Sequence, residues 1–236
     1  HCNRMATGQH CSAMVSCGRF HTCSANLDGT LWCWGIGVHG KLGINSVSDG
    51  TAPLPVQGST WGAGVGQVGV VKVSAGSAHT CAILFDGGLW WWGGWDDGKL
   101  GTSATVDQRV PVLLPSTAFG SSGAAAVDVA LGSAHTCAVM ADGTLWCWGL
   151  QCRLGAGDTP GGWQPVQVNP SSWGQGIGQQ PVLSVSSSGS QTCAVLRGGA
   201  VSCFGTGWLG AGFKGTSRVP VPVAMHAQLP PAVQQV

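Results

Sequence analysis

Apolar and polar residues alternate within a fifteen-residue segment that recurs along the chain. The segment reads HTCSANLDGTLWCWG at residues 21–35, HTCAILFDGGLWWWG at 79–93 and HTCAVMADGTLWCWG at 135–149. A more divergent copy, QTCAVLRGGAVSCFG, occupies residues 191–205, and successive copies begin 58, 56 and 56 residues apart. A fixed period of this length predicts one small supersecondary unit that is duplicated and stacked on its neighbours.

Each unit contains four predicted strands. A first apolar segment ends in a glycine turn, a second strand carries the H-T-C-A motif, and a turn leads into a third strand that ends in Trp-Gly or Phe-Gly. The turn is Asp-Gly in three copies, which is a strong hairpin signal because glycine accepts a positive φ. The last strand is flanked by proline and therefore suits an outer edge, where no partner needs the missing N–H. The predicted first and last strands lie at 15–18 and 53–56, 70–76 and 110–113, 127–132 and 165–168, and 182–189 and 219–223.

Four-stranded antiparallel units in a row predict an all-β fold, a β-propeller whose blades are arranged around a shared axis. A solenoid of hairpins is the alternative. We place the repeats at residues 12–69, 70–126, 127–181 and 182–224 of one propeller domain. An N-terminal segment at 1–11 and a C-terminal tail at 225–236 flank them.

The repeated pattern G-x-x-H-T-x-A-x-x-x-D-G-x-x-x-x-W-G, followed by K-L-G and a Pro-Val segment, resembles the repeat of the regulator of chromosome condensation (RCC1-like) family. The resemblance covers residues 12–224. It implies a propeller fold, which in that family has seven blades. Because this chain carries four units, the resemblance implies part of a larger ring, an open arc completed by other segments or subunits, or a smaller propeller.

Three pairs of cysteines are spaced ten residues apart and lie symmetrically about the predicted hairpin turns: Cys23 and Cys33, Cys137 and Cys147, and Cys193 and Cys203. Directly opposed residues of antiparallel strands have Cβ atoms about 4.5–5.5 Å apart, close to the distance that a disulfide requires. The second repeat has Trp91 opposite Cys81, so the crosslink is optional to the hairpin. Buried thiols and a zinc site are the alternatives, and zinc is disfavoured because the pairs belong to separate blades.

Disulfides persist in oxidising compartments, so the three pairs predict an extracellular or luminal location in the secretory pathway. The other five cysteines form an odd set, in which Cys2 is a candidate to pair with Cys11 or Cys17. At least one thiol of this set is then free or bonded to something outside the segment. The partners of these residues are undecided: Cys2, Cys11, Cys17, Cys81 and Cys152.

Histidine and tryptophan recur at fixed positions of the repeat and are interpreted as structural. His21, His79 and His135 share one position, which Gln191 fills in the fourth copy with its hydrogen-bonding capacity retained. Large aromatic residues suit packing between neighbouring blades. The recurring aromatic residues are Trp34, Trp92, Trp148 and Phe204, then Trp32, Trp90 and Trp146, and finally Trp61, Phe119 and Trp173.

Three tryptophans break this register. Trp95, Trp163 and Trp208 fall in predicted loops between third and fourth strands. Exposed tryptophans are favoured anchors of binding interfaces. We therefore predict that these loops contact a partner protein or a sugar.

Composition and charge argue against several classes of function. Ten Lys and Arg residues are scattered through a chain of net charge +1, which is not the clustered positive charge of a nucleic-acid or anionic-membrane surface. No apolar run reaches the ~18–20 residues that cross a bilayer, so we expect a soluble protein. The chain starts at His1 without an initiator Met, so we expect a mature or excised segment.

Catalytic chemistry has no visible residues in the sequence. The chain contains no Glu, and three of its nine Asp residues occupy the Asp-Gly turns. The only adjacent acidic pair, Asp96 and Asp97, is interpreted as a solvated loop because a hard cation needs more oxygen ligands. Nucleotide-binding, metalloprotease and serine-hydrolase motifs are missing. We expect no enzyme activity, no cofactor and no metal.

These features predict a non-enzymatic interaction or structural module of an extracellular or luminal assembly, whose loops and strand edges hold one or more partner proteins. The family resemblance implies the alternative of a guanine-nucleotide-exchange or chromatin-associated regulator. A carbohydrate-binding module that uses loop tryptophans is a second alternative.

Overall fold

Sixteen strands form four antiparallel sheets in the part of the chain that the structure describes. A computed structural model describes residues 12–57, 69–102, 104–150, 153–157, 162–169, 173, 180–212 and 214–224. In chain order the strands are β1 (Ser12–Cys17), β2 (His21–Asn26), β3 (Leu31–Gly35), β4 (Gly50–Pro55), β5 (Val70–Ala75), β6 (His79–Leu84), β7 (Leu89–Gly93), β8 (Gln108–Leu114), β9 (Ala126–Leu131), β10 (His135–Met140), β11 (Leu145–Gly149), β12 (Gly162–Gln167), β13 (Val182–Ser188), β14 (Gln191–Leu196), β15 (Val201–Trp208) and β16 (Lys214–Pro222). Short 3-10 turns occupy Val38–Gly40, Asp96–Gly98 and Ser116–Ser122.

Each sheet is a four-stranded meander in which the strands follow chain order. We refer to the sheets as blade 1 (β1–β4), blade 2 (β5–β8), blade 3 (β9–β12) and blade 4 (β13–β16). The first strands β1, β5, β9 and β13 contact one another in succession and form the inner edge. Among the described residues, the extensive contacts between blades join successive blades only, so the four blades form an open arc. The prediction of a β-propeller architecture is confirmed.

The hairpin turn between the second and third strands has the geometry that Asp-Gly predicts. Gly29 has a φ of 82°, and the Asp28 carboxylate accepts a hydrogen bond from the backbone N–H of Thr30 at 3.0 Å. The Gly29 carbonyl accepts a hydrogen bond from the N–H of Val70, the first residue of the next blade, at 3.0 Å. A Cβ at Gly29 would come within 2.6 Å of the Gly69 Cα, so both the turn and the approach of the next blade require glycine.

Six prolines lie on the fourth strands, which are the outer edges of all four sheets: Pro53, Pro55, Pro111, Pro165, Pro220 and Pro222. Pro55 opposes Trp32 in blade 1, and Pro222 opposes Ser202 in blade 4. An edge strand leaves one row of backbone groups outside the ladder, so a residue without an N–H costs little there. The predicted outer position of the proline-flanked strands is therefore confirmed.

The hydrophobic core lies between the blades. Leu31 and Leu42 of blade 1 pack against Val73 and Trp92 of blade 2. The same arrangement recurs between blades 2 and 3 and between blades 3 and 4. Each blade therefore has one face toward the preceding blade, its upstream face, and one toward the following blade, its downstream face. Burial of apolar area between these faces is the main force that holds successive blades together.

Two of the three off-register tryptophans were wrongly predicted to lie in loops, because β12 begins earlier and β15 ends later than predicted. Trp95 lies in the loop, just before the 3-10 turn of blade 2. Trp163 lies within β12, and Trp208 is the last residue of β15, so neither is in a loop. In blade 4 the two outer strands continue past the end of the sheet as a ribbon, in which Trp208 opposes Lys214.

The residues described contain no helix that is long and apolar enough to cross a membrane.

Candidate interaction surface

Three cysteine pairs bridge the central hairpins of blades 1, 3 and 4. The disulfides are Cys23–Cys33, Cys137–Cys147 and Cys193–Cys203, each with Cα atoms 4.1 Å apart. In each pair the two residues are directly opposed in the strand register. The cross-strand pairing that the ten-residue spacing predicts is therefore confirmed.

The remaining described cysteines have different surroundings. Cys81 is a buried thiol that lies opposite Trp91, and burial strongly raises its pKa. A thiol held protonated in this way is a packing group rather than a nucleophile. Cys17 is an exposed free thiol at the end of β1. Cys2, Cys11 and Cys152 lie outside the described residues.

The recurring histidine connects each blade to the next. The Nε2 atom of His21 lies 2.8 Å from the Thr80 hydroxyl oxygen, His79 lies 2.9 Å from Thr136, and His135 lies 2.7 Å from Thr192. The Thr80 hydroxyl donates its proton to the Lys41 carbonyl, at 2.8 Å. Its oxygen must then accept from His21, so the imidazole carries its proton on Nε2.

Burial keeps these histidines neutral. Burial, with a smaller contribution from the Lys41 charge, lowers the pKa of His21 to about 4. Burial and the nearby Arg153 guanidinium lower the pKa of His135 to about 3. The Nδ1 atoms of His21, His79 and His135 are buried without a hydrogen-bond partner among the described residues. A neutral, covered imidazole that bonds a neighbouring threonine has a structural role.

A tryptophan completes each of the first two blade interfaces. The indole N–H of Trp92 donates to the Lys41 carbonyl at 2.9 Å, and that of Trp148 donates to the Lys99 carbonyl at the same distance. Trp92, Trp148 and Phe204 are fully buried, as predicted for this position, whereas Trp34 at the start of the arc is half-buried. Trp32, Trp90 and Trp146 are also half-buried. Phe119 and Trp173 are buried, and Trp61 lies outside the described residues.

Sequence reasoning missed the two lysines in these interfaces. Lys41 is 1% exposed and Lys99 is 2% exposed, although lysine is almost never fully buried without a partner. The Lys41 ammonium lies 5.8 Å from the centre of the Phe20 ring. Burial, with the Arg19 charge adding to it and Asp49 opposing it, lowers the Lys41 pKa. The K-L-G motif marked these positions, but it gave no sign that their backbone carbonyls are the acceptors for the next blade.

Two of the three off-register tryptophans meet at the end of the blades where third and fourth strands are connected. We call this end the loop face and define it by residues 36–49, 94–102 and 104–107 and by Trp163. The rings of Trp95 and Trp163 stack with centres 5.6 Å apart and planes 29° apart. Trp95 is half-buried, whereas Trp163 remains 43% exposed. The junction of blades 2 and 3 thus presents an aromatic surface to solvent.

The third off-register tryptophan lies apart from this stack. Trp208 is 72% exposed at the end of β15, and the Lys214 ammonium lies 6.0 Å from its ring centre. The structure therefore assigns Trp95 and Trp163 to one candidate surface and places Trp208 on blade 4.

Several charged residues of the loop face form ion pairs with one another. Asp96 pairs with Lys99 at 2.6 Å; partial burial alone would raise the Asp96 pKa, but the hydrogen bond and charge of Lys99 lower it below its usual value. His39 and Asp107 join the loops of blades 1 and 2 at 2.8 Å. Among the described residues no three His, Cys, Asp or Glu side chains converge as metal ligands.

Asp128 is a second feature that sequence reasoning missed. Its carboxylate pairs with Lys72 of blade 2 and accepts hydrogen bonds from the N–H groups of Val129, at 2.7 Å, and Val185 of blade 4, at 2.9 Å. The side chain is buried at the inner edge of blade 3. This single carboxylate therefore contacts three blades.

A shallow groove of about 470 Å³ runs along the inner edge of the arc. It is lined by the turns between first and second strands, in which glycine and serine predominate. Arg19 supplies its one charged side chain among the lining residues. The groove has few of the apolar walls typical of small-molecule sites, so the loop face is the stronger candidate surface.

Comparison with solved structures supports the fold. Human WBSCR16 superposes with a TM-score of 0.80 at 22% identity, over 94% of this chain and 55% of that one. Prp20p from Saccharomyces cerevisiae superposes with a TM-score of 0.70 at 19% identity, over 94% and 52% of the two chains. The ectodomain of the Physcomitrella patens receptor kinase CR4 gives 0.50 at 16% identity, over 85% and 42%. The chain thus spans about half the length of these structures.

Comparison with protein families gives the identity of the repeats. No curated protein matches the sequence of the chain. The regulator of chromosome condensation (RCC1) repeat is matched by two family models, one at residues 28–83 and 86–139 and the other at 70–98 and 126–153. Together these matches cover residues 28–153, more than half of the chain, and they include the Asp-Gly turns and Trp-Gly strand ends described above. The chain belongs to the regulator of chromosome condensation (RCC1) repeat family.

Proposed function

We propose that this protein is a non-enzymatic interaction module of an extracellular or luminal assembly, and that its loop face holds a partner protein. The observation that carries the proposal is the stacked pair Trp95–Trp163, which lies at the junction of two blades with Trp163 partly exposed. A stacked indole pair is already ordered, so a partner that buries it sacrifices little side-chain entropy. Rigid blades below and variable connections above are a common arrangement for binding surfaces.

The three disulfides support the location. Crosslinks of this kind persist in oxidising compartments and are rare where thiols are kept reduced. All three lie in the hairpins of the blades. One of the structures that superpose on this chain is a receptor ectodomain, that of CR4. The two observations together favour an exported protein.

The non-enzymatic part of the proposal rests on how the reactive side chains are used. His21, His79 and His135 are buried and kept neutral by the blade interfaces. The Asp128 carboxylate is buried among backbone N–H groups and a lysine. General acid-base catalysis needs a titratable group that can reach a substrate, and these groups are committed to packing.

The loop face can be tested by placing a photo-crosslinking residue at position 163 of the full chain, expressed in its native host. We expect crosslinks to one or a few proteins from this position. Position 85 is the matched control, because Phe85 is an exposed aromatic residue on the hairpin turn at the other end of blade 2. Crosslinks that appear equally from both positions, or from position 85 only, would contradict the assignment of the loop face.

The affinity of the chain for the crosslinked partner is a second test of the loop face. Loss of an aromatic anchor from an interface costs about 2 kcal/mol or more of binding free energy, so Trp163→Ala should weaken binding of the crosslinked partner by about thirtyfold or more. Phe85→Ala should leave it unchanged. Equal affinities of the parent chain and the Trp163→Ala variant would show that the partner binds elsewhere.

A regulatory role is the second candidate, and family membership favours it. Prp20p, which has a similar fold, is described with binding properties toward Gsp1p and histones. An intracellular regulator of this type would carry the six hairpin cysteines as thiols. Mass spectrometry of the alkylated, unreduced protein from its native source discriminates the two, because an exported module keeps three intact crosslinks.

A further inference from the structure

The 3-10 turns of blades 1 and 2 pack against the fourth strand of the next blade in the same way. In blade 1 the turn Val38–Gly40 contacts Arg109, because a Cβ added to its last residue would lie 2.7 Å from the Arg109 Cα. In blade 2 the turn Asp96–Gly98 contacts Trp163, because a Cβ added to its last residue would lie 3.0 Å from the Trp163 Cα. Arg109 and Trp163 are both the second residue of their strands. The two junctions therefore share a backbone arrangement.

The side chains at these equivalent positions differ between the two junctions. Trp95 precedes the turn of blade 2, whereas Gly37 precedes the turn of blade 1. The first two residues of the turn are Asp96 and Asp97 in blade 2, and valine and histidine in blade 1. On the facing strand, Trp163 takes the place of an arginine. The junction of blades 2 and 3 thus brings two carboxylates to a stacked pair of indoles.

The charge that faces solvent beside this stack is negative. Asp96 pairs with Lys99, whose side chain is only 2% exposed. Asp97 is exposed and forms no ion pair or hydrogen bond with any residue that the structure describes. A third carboxylate, that of Asp107, accepts a hydrogen bond from the Trp95 backbone N–H at 3.3 Å and also pairs with the loop of blade 1. A partner that buries the stack therefore meets an aromatic surface with an uncompensated carboxylate beside it.

We propose that Trp163 and the turn Asp96–Gly98 bind an arginine side chain of the partner protein, an inference that rests on the function proposed for the loop face. Trp95 stacks on Trp163 from one side, and Trp163 remains 43% exposed. A planar guanidinium stacks on the exposed indole and donates N–H groups to the Asp97 carboxylate at the same time.

Other occupants fit this junction less well. A hard metal ion requires more oxygen ligands than the turn supplies. A lysine ammonium matches the charge but lacks the flat surface that stacks on an indole. A neutral sugar can stack on Trp163 but leaves the negative charge of Asp97 without a counterpart. Charge complementarity and the flat aromatic surface together favour arginine.

The test titrates the full chain with two blocked tripeptides, Ala-Arg-Ala and Ala-citrulline-Ala. Citrulline has the planar shape of arginine without its charge. Binding is followed through the indole N–H resonance of Trp163 in NMR spectra, which is identified by its loss in the Trp163→Ala variant. We expect the arginine tripeptide to shift this resonance in a saturable manner, and the citrulline tripeptide to leave it unchanged at the same concentrations. Added salt should weaken the binding of the arginine tripeptide.

Asp97→Asn removes the charge and retains the shape of the side chain, and asparagine tolerates the positive φ of 61° at this position. We expect this variant to bind the arginine tripeptide about threefold more weakly or worse, as for the loss of an exposed ion pair. The matched control is Asp86→Asn on the hairpin turn at the other end of blade 2, which changes the net charge equally and should leave the affinity unchanged. Intact mass confirms that both new amides persist during the titration.

Equal shifts with both tripeptides, no shift with the arginine tripeptide, or equal affinities of Asp97→Asn and the parent chain would overturn the arginine site. A Trp163 resonance that responds to oligosaccharides of mannose or N-acetylglucosamine, and not to the arginine tripeptide, would overturn it in favour of a sugar. The crosslinking experiment at position 163 keeps the two proposals apart. A captured partner without arginine binding supports the loop face and rejects the arginine site, whereas arginine binding without a captured partner supports the site and rejects the function.

Discussion

Blades 2 and 3 differ in the residues that fill one buried position of the central hairpin. At one register position blade 3 has the Cys137–Cys147 disulfide, whereas blade 2 has Cys81 opposite Trp91. Both pairs are buried and face the following blade. The hairpin, the Asp-Gly turn and the contacts to neighbouring blades are otherwise alike. The crosslink is thus a replaceable addition to a hairpin that backbone pairing and inter-blade packing already define.

In blade 2 the large indole of Trp91 occupies the position at which the other blades have the second cysteine of the disulfide. Trp91→Ala should produce the largest effect, a loss of about 3–5 kcal/mol of unfolding free energy, because it leaves a large cavity between blades 2 and 3. Urea denaturation of the oxidised protein measures it. Trp163→Ala, at an exposed tryptophan, is the matched control and should change stability far less.

The same position allows one blade to be converted into the other. Trp91→Cys places a thiol directly opposite Cys81, where the other three blades have their crosslink. The oxidised variant should contain one additional disulfide, seen as a mass lower by two hydrogens, and should be more stable than Trp91→Ala. A persistent pair of thiols at these positions would show that blade 2 differs from blade 3 in backbone geometry as well as in side chains.

Removal of the crosslink from blade 3 should produce the next largest effect. Cys137→Ala combined with Cys147→Ala should cost about 3 kcal/mol, the loop-closure entropy expected for a disulfide between residues ten apart. Cys81→Ala in blade 2 removes only a buried sulfur atom and should cost about 1 kcal/mol. Both values come from urea denaturation without reductant. Similar losses in the two blades would mean that the disulfide contributes only its packing.

Blades 2 and 3 each have a histidine, His79 and His135, that bonds the threonine of the next blade. These histidines should have a smaller effect on stability, and that effect should depend on pH. His135 has a pKa of about 3 in the folded protein and an ordinary value of 6.5, so only the unfolded chain takes up its proton between these values. Its contribution to stability is complete above pH 6.5 and is lost as the pH falls toward 3. The parent chain should lose about 2 kcal/mol through this residue between pH 7 and pH 5, at about 1.4 kcal/mol for each pH unit below 6.5.

His135→Gln tests this dependence, because glutamine fills the same position in blade 4 as Gln191. The variant should have a shallower decline in unfolding free energy between pH 7 and pH 5, measured by urea denaturation at each pH. The decline that His21 and His79 cause should remain. Parallel pH profiles of variant and parent would show that His135 does not stay neutral in the folded protein.

The sequence predicted the features that depend on local periodicity. The Asp-Gly turns, the opposition of Cys23 to Cys33 and the outer position of the prolines all follow from strand alternation and turn chemistry. These features are determined by residues within a single blade. The arrangement as a propeller followed from their repetition, with the family resemblance adding to it.

The features that the sequence did not predict arise between blades. Trp95 and Trp163 stack although they lie in different repeats, and Asp128 contacts two neighbouring blades. Such contacts depend on how far one sheet is rotated and shifted against the next, which a single repeat does not specify. The location of Trp163 in a strand was missed for a different reason, since the fourth strands of blades 1 to 3 begin two or three residues before the segments that predicted them.

Asp128 gives the arc a mechanical property that pairwise stacking alone would not provide. In a stack held by nearest-neighbour contacts, terminal units detach without disturbing the units beyond their immediate neighbour. A carboxylate shared by β13 on one side and Lys72 on the other transmits displacement of blade 4 to blade 2. We therefore expect blades 2, 3 and 4 to behave as one cooperative unit at the inner edge.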